Sequence, residues 1–138
     1  MALFDTHAHY DDSQFDPDRE ELLAALPENG VGLVVNPGCD IPTSRQALAL
    51  AERYPHVYAA VGYHPENCGP YVPEELDILR SLAKHPKAVA IGEIGLDYYW
   101  EENPPRAAAG RGPVYPAKGL ARAGWRFLLL IIWRNMLY

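Results

Sequence analysis

Ala88-Val89-Ala90-Ile91-Gly92-Glu93-Ile94-Gly95-Leu96-Asp97 is an apolar run with one carboxylate set near its end and another closing it. Residues 88–94 have the composition of a strand buried on both faces, and such strands belong to parallel sheets covered by helices. A carboxylate at Glu93 meets a heavy desolvation cost unless it is paired or metal-bound. Either it pairs with a base at a strand end, or it serves a site.

Three earlier runs end in a similar way. Ala2–Asp5 leads into Asp5-Thr6-His7-Ala8-His9, Val31–Val35 is closed by Asn36-Pro37-Gly38, and Val57–Gly62 runs into Tyr63-His64-Pro65. Helical segments separate them. Asp16-Pro17 reads as a helix start with Leu22, Leu23 and Leu26 on its apolar face, and Pro27 with Gly30 as its stop. Ile41-Pro42-Thr43-Ser44 opens a second helix that ends before Pro55. Pro73-Glu74-Glu75 opens a third, with acids early and Arg80, Lys84 and His85 late, as the helix dipole favours. The order β-α-β-α-β-α-β predicts an α/β fold with a parallel sheet.

His7 and His9, two apart on a strand, leave the same face roughly 6–7 Å apart along the chain. Two neutral imidazoles aimed at one point make half of a divalent-metal site, and Asp5, of the same parity, is placed to orient one of them. The alternative is a His pair that only caps the strand by hydrogen bonding. Strand ends carrying His-x-His and a later Glu are how a metal site is built at the mouth of a β/α barrel. His64, at the end of the third strand, projects into the same mouth and suits contact with a phosphate. Asp97 is either a site residue or a loop Asp that bonds its own turn. His56 and His85 lie beside prolines at the opposite end of the sheet and read as structural or solvent-exposed. Tyr98, Tyr99 and Trp100 either stack on bases or pack against the core.

The chain has 138 residues, enough for one core but short of the ~250 usual for a complete eight-stranded barrel. With 49% hydrophobic and 22% charged residues it reads as an ordinary globular protein. Cys39 and Cys68 show no C-x-x-C spacing, which argues against a Cys-rich zinc site or a disulfide scaffold. No charged segment followed by an apolar one opens the chain, so a cytoplasmic location and no membrane association are expected.

Charge divides the chain abruptly. Residues 1–105 hold all 18 Asp and Glu against 6 Lys and Arg, a net of −12, whereas residues 106–138 hold no acid and 6 bases. Past Pro105 the βα pattern also fails: Pro113 and Pro116 break any helix, and Phe127–Trp133 is an isolated apolar block, either a buried strand or an exposed segment. Two regions are therefore expected: 1–105, the amino-terminal part of a barrel, and 106–138, an atypical basic and apolar tail.

At FDTHAHYDD (4–12), AAVGYHPEN (59–67) and VAIGEIGLDYYWEENP (89–104) the chain resembles the TatD family of metal-dependent deoxyribonucleases, within the metallo-dependent hydrolase superfamily. The resemblance covers residues 1–105 and rests on three motifs in order. It implies a parallel βα repeat, here an incomplete TIM barrel of about four of eight βα units, and hydrolysis of DNA phosphodiester bonds with one or two divalent ions (Mg, Mn or Zn). By the same resemblance His7, His9 and Glu93 match metal ligands, Glu93 being the carboxylate able to bridge two ions, and His64 matches a substrate-facing position. The family draws two further His and an Asp from later strands, but residues 106–138 contain no His, Asp or Glu. The expected activity is therefore impaired. Where the family usually continues with a helix start such as Arg-Glu-Leu-Gln-Gln, this chain has Arg106-Ala107-Ala108-Ala109-Gly110. A two-base shift converts codons for the former into the latter, so the tail is expected to be an out-of-frame or disordered segment, which sequencing across codons 104–112 checks.

Two other functions fit parts of this pattern. An amidohydrolase-type enzyme of the same superfamily shares the His pair, although a Glu rather than a Lys at the fourth strand favours phosphoester chemistry. A non-catalytic remnant or nucleic-acid-binding module would use the basic tail on phosphates. Four parallel strands cannot close a barrel, so the first and fourth are expected to be open edges that promote self-association.

Overall fold

The computed structural model describes residues 2–68, 72, 74–97 and 128–133. Its strands are β1 (Leu3–Asp5), β2 (Val31–Pro37), β3 (Val57–Val61), β4 (Ala88–Asp97) and β5 (Leu128–Trp133). Three helices, α1 (Arg19–Ala25), α2 (Ile41–Arg53) and α3 (Glu75–Leu82), connect the first four. The strands pair in sequence order, and every pairing is parallel. This is the expected βα repeat, with one strand more than the four read from the sequence.

That strand comes from the apolar block whose state the sequence left open. Leu128–Trp133 takes the strand form and pairs with β4, Ile94 opposite Leu130 and Asp97 opposite Trp133. The expectation that β4 is an open edge is therefore corrected: β5 occupies its outer side, and among the described residues β1 stands at the sheet's margin. Phe127, Tyr98, Tyr99, Trp100 and residues 106–127 lie outside the described residues.

The core explains the continuous apolar runs. On one side Val34, Val57, Ala59, Val61, Ile91 and Ile94 pack with Leu23, Ala47, Leu48 and Leu79 from the helices. A smaller cluster of Val35, Ala60 and Ala90 occupies the other side, with Tyr58 and Val89 against it. Strands buried on both faces need apolar residues at both parities.

The helices follow local chemistry. Asp40 caps α2, its carboxylate accepting from the Thr43 backbone N–H at 2.8 Å while the Thr43 hydroxyl accepts from the Asp40 backbone N–H at 2.9 Å. The first helix starts later than Asp16-Pro17 suggests. Ser13–Phe15 forms a 3₁₀ turn, α1 begins at Arg19, and the Asp16 carboxylate accepts from the Arg19 guanidinium at 2.6 Å instead of capping. Arg19 also donates to the carbonyls of Tyr10, Asp11 and Asp12, which clamps the loop leaving β1. No helix among the described residues is long and apolar enough to cross a membrane.

Candidate metal centre

His7 and His9 stand on that clamped loop, just beyond the last residue of β1, rather than within the strand. Strand alternation therefore does not align them; the loop does. The Asp5 carboxylate accepts from the backbone N–H of His7 at 3.0 Å, and the backbone N–H of Ala8 donates to the Val35 carbonyl at 3.2 Å. Held this way, the two imidazoles turn their Nε2 atoms toward each other at 3.1 Å.

Glu93 reaches the same point from β4. Its backbone N–H donates to the Gly38 carbonyl at 2.8 Å, which anchors it at the end of β2. The close approach requires Gly62: a Cβ there would stand 2.7 Å from the Gly92 carbonyl carbon and 2.8 Å from the Glu93 carbonyl oxygen. The Glu93 side chain is buried, with Oε1 at 2.5 Å from His7 Nε2 and 3.4 Å from His9 Nε2. Its Oε2 accepts from the Cys39 thiol at 3.3 Å and lies 4.0 Å from His64 Nε2. Donor atoms of His7, His9 and Glu93 all fall within 4.8 Å of one another.

The electrostatics suit a cation. Burial pushes the Glu93 carboxyl up, but hydrogen bonds from His7, His9 and Cys39 outweigh it and hold the group well below the usual carboxylate range. His9 is raised, chiefly by its hydrogen bond to Glu93, against an opposing effect of burial. Burial first, and then the Glu93 charge, push the Cys39 thiol up, so it remains a protonated donor. Two imidazole nitrogens and an ionised carboxylate oxygen are a divalent-metal donor set, and facing Nε2 atoms on one carboxylate oxygen are the lone pairs such an ion uses.

The other residues expected from the sequence divide. His64 faces the cluster. Its Nδ1 accepts from the Glu66 backbone N–H at 3.2 Å, so the neutral ring carries its proton on Nε2, the nitrogen turned toward Glu93. Asp5 sits at the site and bonds the His7 backbone. Asp97 closes β4, and its side chain lies outside the described part. His56 and His85 are structural, Nε2 of the first at 2.9 Å from the Leu23 carbonyl and of the second at 3.0 Å from Glu52 Oε1.

Three residues at the site were not singled out from the sequence. Cys39 touches Glu93, and Asn36 at the end of β2 donates to Asp11 Oδ1 at 2.8 Å. Asp11 Oδ1 in turn stands 3.9 Å from His9 Nδ1. The available signals were a polar residue ending an apolar strand and an acid two residues past a His pair.

The family model for TatD related DNase matches residues 4–111. The chain is 42% identical over 102 residues to the uncharacterized metal-dependent hydrolase YabD of Bacillus subtilis, covering 74% of this chain and 40% of that protein. It is 40% identical over 96 residues to the 3'-5' ssDNA/RNA exonuclease TatD of Salmonella typhimurium, covering 70% of this chain and 37% of that one. The chain thus spans about two fifths of the length of these relatives. Among solved structures, the TatD homolog YJJV of Escherichia coli superimposes with a TM-score of 0.78 at 31% identity, over 91% of this chain and 49% of that one. A TatD family hydrolase of Entamoeba histolytica, at 22% identity and a TM-score of 0.75 over 90% of this chain and 48% of that one, shares the fold.

Proposed function

This chain belongs to the TatD related DNase family, and on that premise we propose that it carries the amino-terminal part of a metal-dependent hydrolase acting on DNA phosphodiester bonds. The observation that carries the proposal is the convergence of His7, His9 and Glu93 from the two ends of the described βα repeat. A relative described as a 3'-5' ssDNA/RNA exonuclease supports a single-stranded nucleic acid as substrate class. The proposed setting is the cytoplasm.

In this reading His7, His9 and Glu93 would hold the divalent metal, one or two ions of Mg, Mn or Zn. Such an ion, when bound, polarises the phosphoryl oxygens and lowers the pKa of water. The chain's own groups do the rest. Glu93, kept ionised by its hydrogen bonds, supplies the negative charge that holds the cation. His64 presents an Nε2–H donor to a phosphate at the edge of the cluster. Asp5 fixes the backbone from which His7 projects, and we assign Asp97 to the same mouth of the sheet.

Residues 106–138 add no His, Asp or Glu, so this chain by itself supplies an incomplete ligand set and is catalytically impaired. The test is cleavage of end-labelled single-stranded DNA by the purified 138-residue chain with Mg²⁺ or Mn²⁺. Turnover near background is expected, with any residue of it lost in Glu93→Ala. Robust metal-dependent cleavage would refute the impairment; metal-dependent cleavage that survives Glu93→Ala would refute the site.

A further inference from the structure

Asn36, the last residue but one of β2, has its side chain completely buried, and it commits both ends of its amide to one residue. Its Oδ1 accepts from the backbone N–H of Asp11 at 3.3 Å, and its Nδ2 donates to Asp11 Oδ1 at 2.8 Å, with a longer contact of 3.4 Å to the Pro37 carbonyl. A buried amide is retained where its hydrogen bonds are met, and here they are met by fixing a carboxylate. Arg19 holds the same segment from outside through the carbonyls of Tyr10, Asp11 and Asp12. A loop is readily held by its backbone alone. What Asn36 adds is the position of one oxygen, Asp11 Oδ1, and that oxygen is the one 3.9 Å from His9 Nδ1.

The geometry of His9 gives this oxygen a use. Its Nε2 faces His7 and Glu93, while Nδ1 faces Asp11. A fixed negative charge beside Nδ1 favours the tautomer with the proton there and leaves the Nε2 lone pair for a cation. We propose that Asp11, locked by the buried Asn36, is the positioning residue for His9, setting which nitrogen takes the metal. In this role Asp11 acts through the His9 imidazole, whose Nδ1 it faces. The inference rests on the reading of His7, His9 and Glu93 as metal ligands and extends it to a β2 residue outside the metal-binding motif.

The test uses Zn²⁺ on the whole 138-residue chain. Titration of wild type, Glu93→Ala, Asp11→Asn and Asp11→Glu gives the affinities, and thermal unfolding without metal reports the fold. Asp11→Asn is expected to weaken Zn²⁺ about 10- to 100-fold with little change in unfolding, and Asp11→Glu to recover part of the loss. Affinity of Asp11→Asn within about twofold of wild type, beside a large loss in Glu93→Ala, overturns the inference and leaves the metal site standing. Equal binding by wild type and Glu93→Ala overturns the site itself and the inference with it. Histidine NMR of the Zn²⁺-loaded wild type decides independently of any variant's folding. Metal on His9 Nε2 with a proton on Nδ1 is expected, and metal on Nδ1 overturns the proposal.

Discussion

Glu93 and His9 carry opposite shifts, Glu93 lowered against burial by hydrogen bonds from His7, His9 and Cys39 and His9 raised chiefly by Glu93, and this couples the site to pH. His9 is raised above its ordinary 6.5, so its contribution to stability is fully present below that value and is lost as pH rises through the folded value. Glu93 is held below its ordinary 4.5, so its contribution is present above that value and is lost only as pH falls toward the depressed one. The pair therefore stabilises the metal-free chain most between about pH 4.5 and 6.5. With a chelator present, the thermal midpoint of wild type should exceed that of Glu93→Gln by most near pH 6 and by less at pH 8.5. A difference that widens toward pH 8.5 would contradict this coupling.

The approach of β4 to β3 is what brings Glu93 to the histidines, and Gly62 makes it possible. A Cβ at that position meets backbone rather than a movable side chain, so Gly62→Ala must push the strands apart. The expected cost is about 1–3 kcal/mol in urea unfolding, accompanied by weaker metal binding. A change below about 0.5 kcal/mol would show that the strands have slack there. The strand runs were legible in the sequence because a strand packed on both faces leaves an unbroken apolar stretch, as at Val57–Val61. Their polar ends were legible for the same reason: a His or Glu stands out against such a run. The start of α1 was not legible, because Arg19 recruits Asp16 and three carbonyls from a loop that no local propensity describes. Asn36 and Cys39 escaped notice because each acts on a residue from a distant segment, Asp11 and Glu93, and pairings of that kind leave no periodic trace.

At the scale of the whole chain, the sheet is a parallel series that begins at β1 and reaches β5. β1 is a three-residue strand with Leu3 62% and Phe4 57% exposed, and Leu33 beside it on β2 is 40% exposed. Among the described residues β1 is an edge strand, and apolar side chains at such an edge invite pairing with another chain. We expect the 138-residue protein to self-associate, with its elution on size exclusion shifting to larger sizes as concentration rises. A monodisperse monomer that unfolds cooperatively with more than ~5 kcal/mol would contradict that expectation. The match to the family continues to residue 111, a short way past the charge boundary at 105. We maintain residues 106–138 as a separate region on its composition alone, since it carries all the basic excess and none of the acids.

If His7, His9 and Glu93 form one metal site, a comparison of Mn²⁺ affinities reads it most directly. Equilibrium binding followed by the electron paramagnetic resonance of free Mn²⁺ should be compared for wild type, His9→Ala, Glu93→Ala and His56→Ala. His56 lies against the Leu23 carbonyl, away from the cluster, and serves as the control. Saturable binding is expected that falls at least about tenfold in His9→Ala and Glu93→Ala and is unchanged in His56→Ala, since removing a ligand removes a share of the binding free energy. Binding that persists in both cluster variants, or that falls equally in His56→Ala, would contradict it.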